Sequence, residues 1–96
     1  MTAQPDQTTV PVLSCGVRLR HDLARGGWVL LAPERIVTLD DTAQAVVALA
    51  DGRRDLATIA GILAKEYAVG GDDILADVIE LVVSLRDSGL LEIKGT

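Results

Sequence analysis

The side chains that carry most protein chemistry are scarce in this 96-residue chain. His21 is its single histidine and Cys15 its single cysteine. A nucleophile needs a base within hydrogen-bond reach, and a metal centre needs several nitrogen, sulfur or oxygen ligands at set spacing. Cys15 has no second histidine to activate it and reads as a plain small side chain. His21 falls in an alternating stretch with no ligand-type partner at metal spacing, and reads as a surface or hairpin residue. Gly26-Gly27 precedes neither a Lys-Ser/Thr pair nor a helix start, so it is a turn and not a phosphate loop. Asp40-Asp41 and Asp72-Asp73 precede helical patterns and fit caps better than a catalytic carboxylate pair. The sequence predicts a protein that is not an enzyme, with no catalytic residue, no metal and no cofactor.

The charge balance narrows the partners. Nine basic residues against fourteen acidic ones leave a net charge of −5. Such a chain repels phosphate backbones and anionic lipid, which predicts no nucleic acid and no membrane among its partners. No apolar run is long enough to span a bilayer, and the first residues lack a basic segment followed by an apolar one, so no secretory signal is read. One cysteine fits a reducing compartment, and the chain is expected in the cytoplasm. Hydrophobic residues make up 49% of the sequence but aromatic ones only 2%. The core must therefore be aliphatic, with Trp28 and Tyr67 as the only large rings.

The elements that position these residues are legible from periodicity. Residues 1–13, rich in Thr, Gln, Pro and Asp, read as a disordered tail or linker, and 14–96 as a single domain. Val17 to Asp22 alternates and predicts a half-buried strand. Trp28 to Ala32 and Arg35 to Leu39 predict a hairpin, with Pro33 at the second position of a type I turn. The three strands form a meander whose edges are the first and the third. Helices follow from about 41 to 50, from about 55 to the Gly70-Gly71 break, and from about 73 to 88. Asp40, Asp41 or Thr42 caps the first, the second starts near Asp55, and Asp72 or Asp73 caps the third. Gly52 and Gly89 suit left-handed helix ends, Leu90 packs back as a Schellman contact, and Gly70-Gly71 breaks the second helix. Leu56, Ile59, Ala60, Leu63, Ala64 and Tyr67 are its buried stripe. Residues 91–94 read as a short extended segment. Strands followed by helices give an α+β class: a winged helix-turn-helix-like fold, a three-stranded antiparallel sheet followed by three α-helices.

Two surfaces exceed what a small core needs. The third helix has one apolar stripe at Ile74, Val78, Leu81, Val82 and Leu85 and a second at Leu75, Ile79 and Val83. Both stripes fit full burial, and one of them fits a partner site. The third strand, Arg35 to Leu39, has one charge and no proline, so its free edge is a template for an added strand. A cover by the C-terminal segment or by a second copy is the other reading. DNA recognition is disfavoured: the polar positions of the third helix are Asp72, Asp73, Asp77, Glu80, Ser84, Arg86 and Asp87, where base readout needs Arg, Lys, Asn or Gln. Arg18, Arg20, Arg25, Arg35, Arg53 and Arg54 lie elsewhere and fit an acidic peptide, an acidic protein surface or an ordinary solvated face. An acidic winged-helix domain that regulates through protein–protein contacts, or dimerises, is the alternative function.

Val17-Arg18-Leu19-Arg20-His21-Asp22, then Trp28-Val29-Leu30-Leu31-Ala32-Pro33-Glu34-Arg35, Leu39, Asp51-Gly52 and Asp77-Val78 together resemble the PqqD family of pyrroloquinoline quinone (PQQ) biosynthesis. The resemblance runs from about Pro11 to Leu91, and the Arg-x-Arg-x-Asp and Leu-Leu-Ala-Pro-Glu segments carry it. It implies a recognition domain for ribosomally synthesised, post-translationally modified peptides (RiPPs). Such a domain is a peptide chaperone that binds the precursor peptide PqqA and presents it to the radical S-adenosylmethionine (SAM) enzyme PqqE, which joins a glutamate and a tyrosine side chain. In related domains the peptide adds a strand beside the third strand, in the groove toward the third helix. The implied contacts here are Arg35, Ile36, Val37, Thr38 and Leu39 on the strand and Val78, Leu81, Val82 and Leu85 on the helix. Arg18 and Arg20 are the expected electrostatic contacts, and a proline at Val37 is expected to remove an edge donor. The N-terminal segment would suit fusion to another PQQ biosynthesis domain.

Overall fold

The hairpin that closes at Pro33-Glu34 is the centre of the architecture in a computed structural model. The structure describes residues 5–24, 26–68 and 70–94, without the side chains of Gly71 and Asp72. Arg25, read above in a turn, and the first four residues of the expected tail lie outside the described residues. The order is β1 (Val10–Leu13), β2 (Arg18–Asp22), β3 (Gly27–Ala32), β4 (Arg35–Leu39), α1 (Asp41–Leu49), α2 (Leu56–Tyr67), α3 (Gly71–Asp87) and β5 (Leu91–Lys94). β2, β3 and β4 form an antiparallel sheet in that order. With three helices after it, this is the winged-helix-like α+β arrangement that the periodicity predicts.

Pro33 decides the turn. Its ring holds φ at about −65°, which forbids the two turn types with a positive φ at that position. Glu34 takes φ 69°. A type I turn has a negative φ there and type II a positive one, so the expected type I turn is corrected to a type II-like geometry. Ala32 and Arg35 close the ladder, followed by Leu31 with Ile36 and Leu30 with Val37.

The segment read as a tail contains β1, because its backbone has partners that composition does not reveal. β1 pairs antiparallel with β5, Val10 opposite Lys94 and Leu13 opposite Leu91. The Thr9 and Gln7 carbonyls accept the Leu56 and Ala57 N–H groups, both at 2.9 Å. They satisfy donors that the first turn of α2 otherwise leaves open. Gly52 donates its N–H to the Pro11 carbonyl at 3.0 Å, and Pro11 is fully buried. A Cβ on Gly52, which has φ 80°, would sit 3.4 Å from Val12 Cγ2.

The helices begin and end for local reasons. Asp40 caps α1 by accepting the Ala43 N–H at 2.7 Å, and Asp55 caps α2 by accepting that of Thr58 at 2.8 Å. α3 departs from the expected cap. Its N-cap is Gly70, without a side-chain bond, and Asp72 and Asp73 lie inside the first turn. α2 also stops earlier than Gly70-Gly71, at a left-handed Ala68 with φ 55°. At the end of α3 the Leu90 N–H bonds the Leu85 carbonyl and the Gly89 N–H that of Arg86, both at 2.9 Å, with Gly89 at φ 78°. That is the predicted Schellman pair. The core is aliphatic: Leu30, Val46, Leu56, Ile59, Leu63, Val78 and Val82 are fully enclosed. Tyr67, expected in the stripe of α2, is 45% exposed.

Candidate functional site

Backbone geometry makes β4 the open edge. It is the last strand of its sheet, and β5 pairs with β1 instead. Among the described residues, the expected alternative cover by the C-terminal segment therefore does not occur. Because a two-residue loop separates Ala32 from Arg35, that pair is the hydrogen-bonded kind, and the two kinds alternate along an antiparallel ladder. Arg35, Val37 and Leu39 thus direct their N–H and C=O groups to β3. Ile36 and Thr38 direct theirs outward. Val37→Pro, expected above to remove an edge donor, would break the ladder with β3 instead. The free edge consists of the amides and carbonyls of Ile36 and Thr38.

Side chains follow the opposite alternation. Arg35, Val37 and Leu39 face the helices. Leu39 is buried and Val37 is half-buried against the core. Ile36 and Thr38 face away, and Ile36 is 69% exposed. The Arg35 guanidinium, through Nη2, donates to the Ser88 carbonyl at the end of α3. This bond ties the start of β4 to α3, which otherwise packs chiefly on α2 and β5. Arg35 is therefore a strut between the two elements.

On α3 the predicted contact residues separate. Val78, Val82 and Leu85 are 1%, 0% and 6% exposed, and Ile74 is 8% exposed. This stripe is core, so Val78, Val82 and Leu85 offer a peptide no surface in this structure and are corrected to packing residues. Leu81, at the margin of that stripe, stays half-buried. The second stripe, Leu75, Ile79 and Val83, is half-buried as well, so the apolar surface beyond core needs belongs to it and to Leu81. The clue was present in the sequence, but periodicity does not say which of two adjacent stripes meets the rest of the fold.

Arg18 and Arg20 are exposed on β2, the opposite edge of the sheet. Two inter-strand spacings put them about 10 Å from β4, so the fold does not bring them to its free edge. Their cross-strand neighbours are Leu31 and Val29. Arg54 pairs with Asp51 at 2.7 Å. The Arg53 and Arg54 amides, with the Arg54 charge, hold the Asp51 carboxyl below its ordinary value, and the Thr58 amide does so for Asp55. The His21 ring packs edge-on against Trp28, its cross-strand partner, with centroids 4.9 Å apart. Cys15 is exposed. Among the described residues no three His, Cys, Asp or Glu side chains gather to hold a metal, and no helix is long and apolar enough to cross a membrane. The open edge of β4 suits pairing with an extended chain.

Comparison with known proteins points the same way. The family model of coenzyme PQQ synthesis protein D (PqqD) matches residues 27–91. A PqqA binding protein of Xanthomonas oryzae pv. oryzae is 52% identical over 83 residues, spanning 86% of this chain and 90% of the relative. The solution NMR structure of the PqqD truncation of Methylobacterium extorquens PqqCD, a functional stand-alone RiPP recognition element, superposes with a TM-score of 0.82. It has 43% identity and covers 92% of this chain and 94% of that one. Lasso peptide synthetase B1, complexed with its leader peptide, superposes with a TM-score of 0.72 at 30% identity, over 86% of this chain and 98% of that one. The open-edged sheet, the three helices and these matches lead to one conclusion: the chain belongs to the PqqD family.

Proposed function

We propose that this protein is a non-catalytic peptide chaperone of PQQ biosynthesis that binds the precursor peptide PqqA as an added strand on β4 and presents it to the radical SAM enzyme PqqE. The observation that carries this reading is the unpaired edge of β4 in a member of the PqqD family. The peptide would exchange backbone hydrogen bonds with Ile36 and Thr38. Its inward side chains would meet Val37 and the half-buried aliphatics at the margin of α3, Leu81 or the Leu75, Ile79 and Val83 stripe. Leu39 and Arg35 would keep the edge straight and anchored. A cytoplasmic location, and a natural context in which the domain is fused at its N-terminus to another PQQ biosynthesis domain, belong to the same reading.

Magnitudes set the requirement. Four edge hydrogen bonds contribute about 1 kcal/mol each net, and two or three buried aliphatics add about 2 kcal/mol each. Association and ordering of the peptide cost about 4–15 kcal/mol. Useful affinity therefore needs an edge already formed in the free protein, and the ladder to β3 together with the Arg35 strut supplies one.

The test is an NMR titration of the labelled protein with a synthetic PqqA-type peptide. Saturable amide shifts on Ile36, Thr38 and α3 are expected. Absence of shifts at peptide concentrations well above the protein would overturn the reading and favour the acidic winged-helix alternative. A mobility-shift assay with mixed duplex DNA is expected to be blank, since Asp73, Asp77, Glu80 and Asp87 are exposed on α3.

A further inference from the structure

The sheet has a second face, turned away from the helices, and the peptide reading does not use it. Alternation places Arg18, Leu31 and Ile36 in one row on this face and Arg20, Val29 and Thr38 in the next. Ile36 is 69% exposed, and Leu23, in the turn after β2, is 87% exposed. These are the two most exposed large hydrophobic residues among those described. They border a hollow of about 380 Å³ floored by the buried Val29 and the half-buried Leu31 and lined by Arg20, His21 and Asp22 as well. Neither the hairpin nor the core needs Leu23 and Ile36 there, and large apolar side chains exposed around one hollow mark an interaction site.

Two arginines, Arg18 and Arg20, share this face with one carboxylate, Asp22, although the chain as a whole is acidic. Arg18 and Arg20 are exposed and form no ion pair with a described residue. Asp22, the carboxylate among the strand positions of this face, accepts the Ala24 N–H at 3.1 Å. The complement is a surface with an apolar centre and a carboxylate rim. A second copy meeting this face about a two-fold axis would set Arg18 and Arg20 against the same guanidiniums, which like-charge repulsion disfavours.

Position selects the partner. A strand added to β4 would lie about 4.8 Å beyond it and extend the same sheet. Its alternate side chains would emerge on this outer face, beside Ile36 and Thr38. A protein seated there would touch the scaffold and the peptide together. We infer that the outer face of the β2–β3–β4 sheet docks the enzyme that modifies the bound peptide, through an enzyme surface with an apolar centre and a carboxylate rim. This inference rests on the strand-addition reading and adds a second surface to it.

The experiment uses the full chain, a PqqA-type peptide and PqqE. Peptide is titrated first, and enzyme is added to the peptide-saturated protein. Enzyme-induced shifts are expected at Leu23, Val29, Leu31 and Ile36, weakening as salt rises. The Leu23→Ser/Leu31→Thr variant is expected to bind peptide within twofold of the parent and enzyme at least tenfold more weakly. Leu23→Ser alone removes only an exposed side chain and is expected to weaken enzyme binding severalfold, so a folding defect in the double variant leaves the test intact. Unchanged enzyme affinity in the variants, shifts confined to the helices, or no enzyme binding by the saturated parent would each overturn the inference. Shifts on this face that grow with protein concentration alone would assign it to self-association and overturn it as well. Failure of strand addition is seen separately, as absent shifts before enzyme is added.

Discussion

The capacity of β4 to accept another strand resides in two residues, which makes it testable one atom at a time. Proline at Thr38 removes an outward N–H and keeps the bonds to β3, a placement that edge strands tolerate. Thr38→Pro is expected to leave the helical circular dichroism unchanged and to weaken PqqA-type peptide binding about tenfold, the loss of about 1 kcal/mol of net hydrogen bonding with some added misfit. Val37→Pro is expected to do the reverse kind of damage. It breaks a ladder bond inside the sheet and leaves a β3 carbonyl unpaired, which should cost about 1–3 kcal/mol of stability in a denaturant titration. Similar effects of both substitutions on peptide affinity at unchanged stability would refute the assignment of the edge. Glu34 offers a cleaner backbone test. A left-handed residue with a Cβ costs about 1–2 kcal/mol, partly recovered against the greater freedom of glycine in the unfolded chain. Glu34→Gly is expected to raise the thermal midpoint by a few degrees.

Among the elements, α1 and α2 owe their starting points to aspartates. Asp40→Ala is expected to cost about 1 kcal/mol in a denaturant titration and Asp40→Asn much less, because asparagine accepts the same amide. Asp6, Asp51 and Asp55 are each held below the ordinary carboxylate value of 3.8, first by hydrogen bonds to their ionised forms. A folded-state pKa below the unfolded one means the unfolded chain binds more protons near that pH. Their stabilisation is therefore fully present above the ordinary value and is lost as pH falls through the folded-state values. Thermal midpoints are expected to be level down to about pH 5 and to drop below about pH 4. For these elements the sequence was nearly sufficient. Asp40, Asp55 and the Gly89-Leu90 ending act through neighbours three to five residues away, so pattern alone located them. α3 differs because Gly70 starts it without a side-chain bond, and an aspartate inside the first turn looks, in sequence, much like one at the cap.

At the scale of the molecule, the N-terminal segment is structural from about Gln7 onward. Its Gln7, Thr9 and Pro11 carbonyls accept backbone N–H groups of α2 and of the loop after α1, and its β1 strand pairs with β5. Deleting residues 1–13 removes both backbone caps of α2 and uncovers β5. It is expected to lower stability by about 3 kcal/mol or more, while deleting residues 1–4 leaves all of these bonds in place. Equal thermal midpoints for the parent and the chain lacking residues 1–13 would return the segment to the status of a tail.

The amino-acid sequence by itself determined the hairpin, the three amphipathic helices, the absence of a basic recognition helix and the candidate edge strand. Each of these depends on residues close together in the chain, where steric preference and alternation act directly. Tertiary structure decided what depends on distant partners. It paired β1 with β5 across the whole chain and so left β4 open. It turned Val78, Val82 and Leu85 into core and left Leu81 and the Leu75 stripe half-covered. It separated Arg18 and Arg20 from the β4 edge by the width of two strand spacings. Periodicity gives the faces of an element, but only packing against the rest of the molecule fixes which face remains for a ligand.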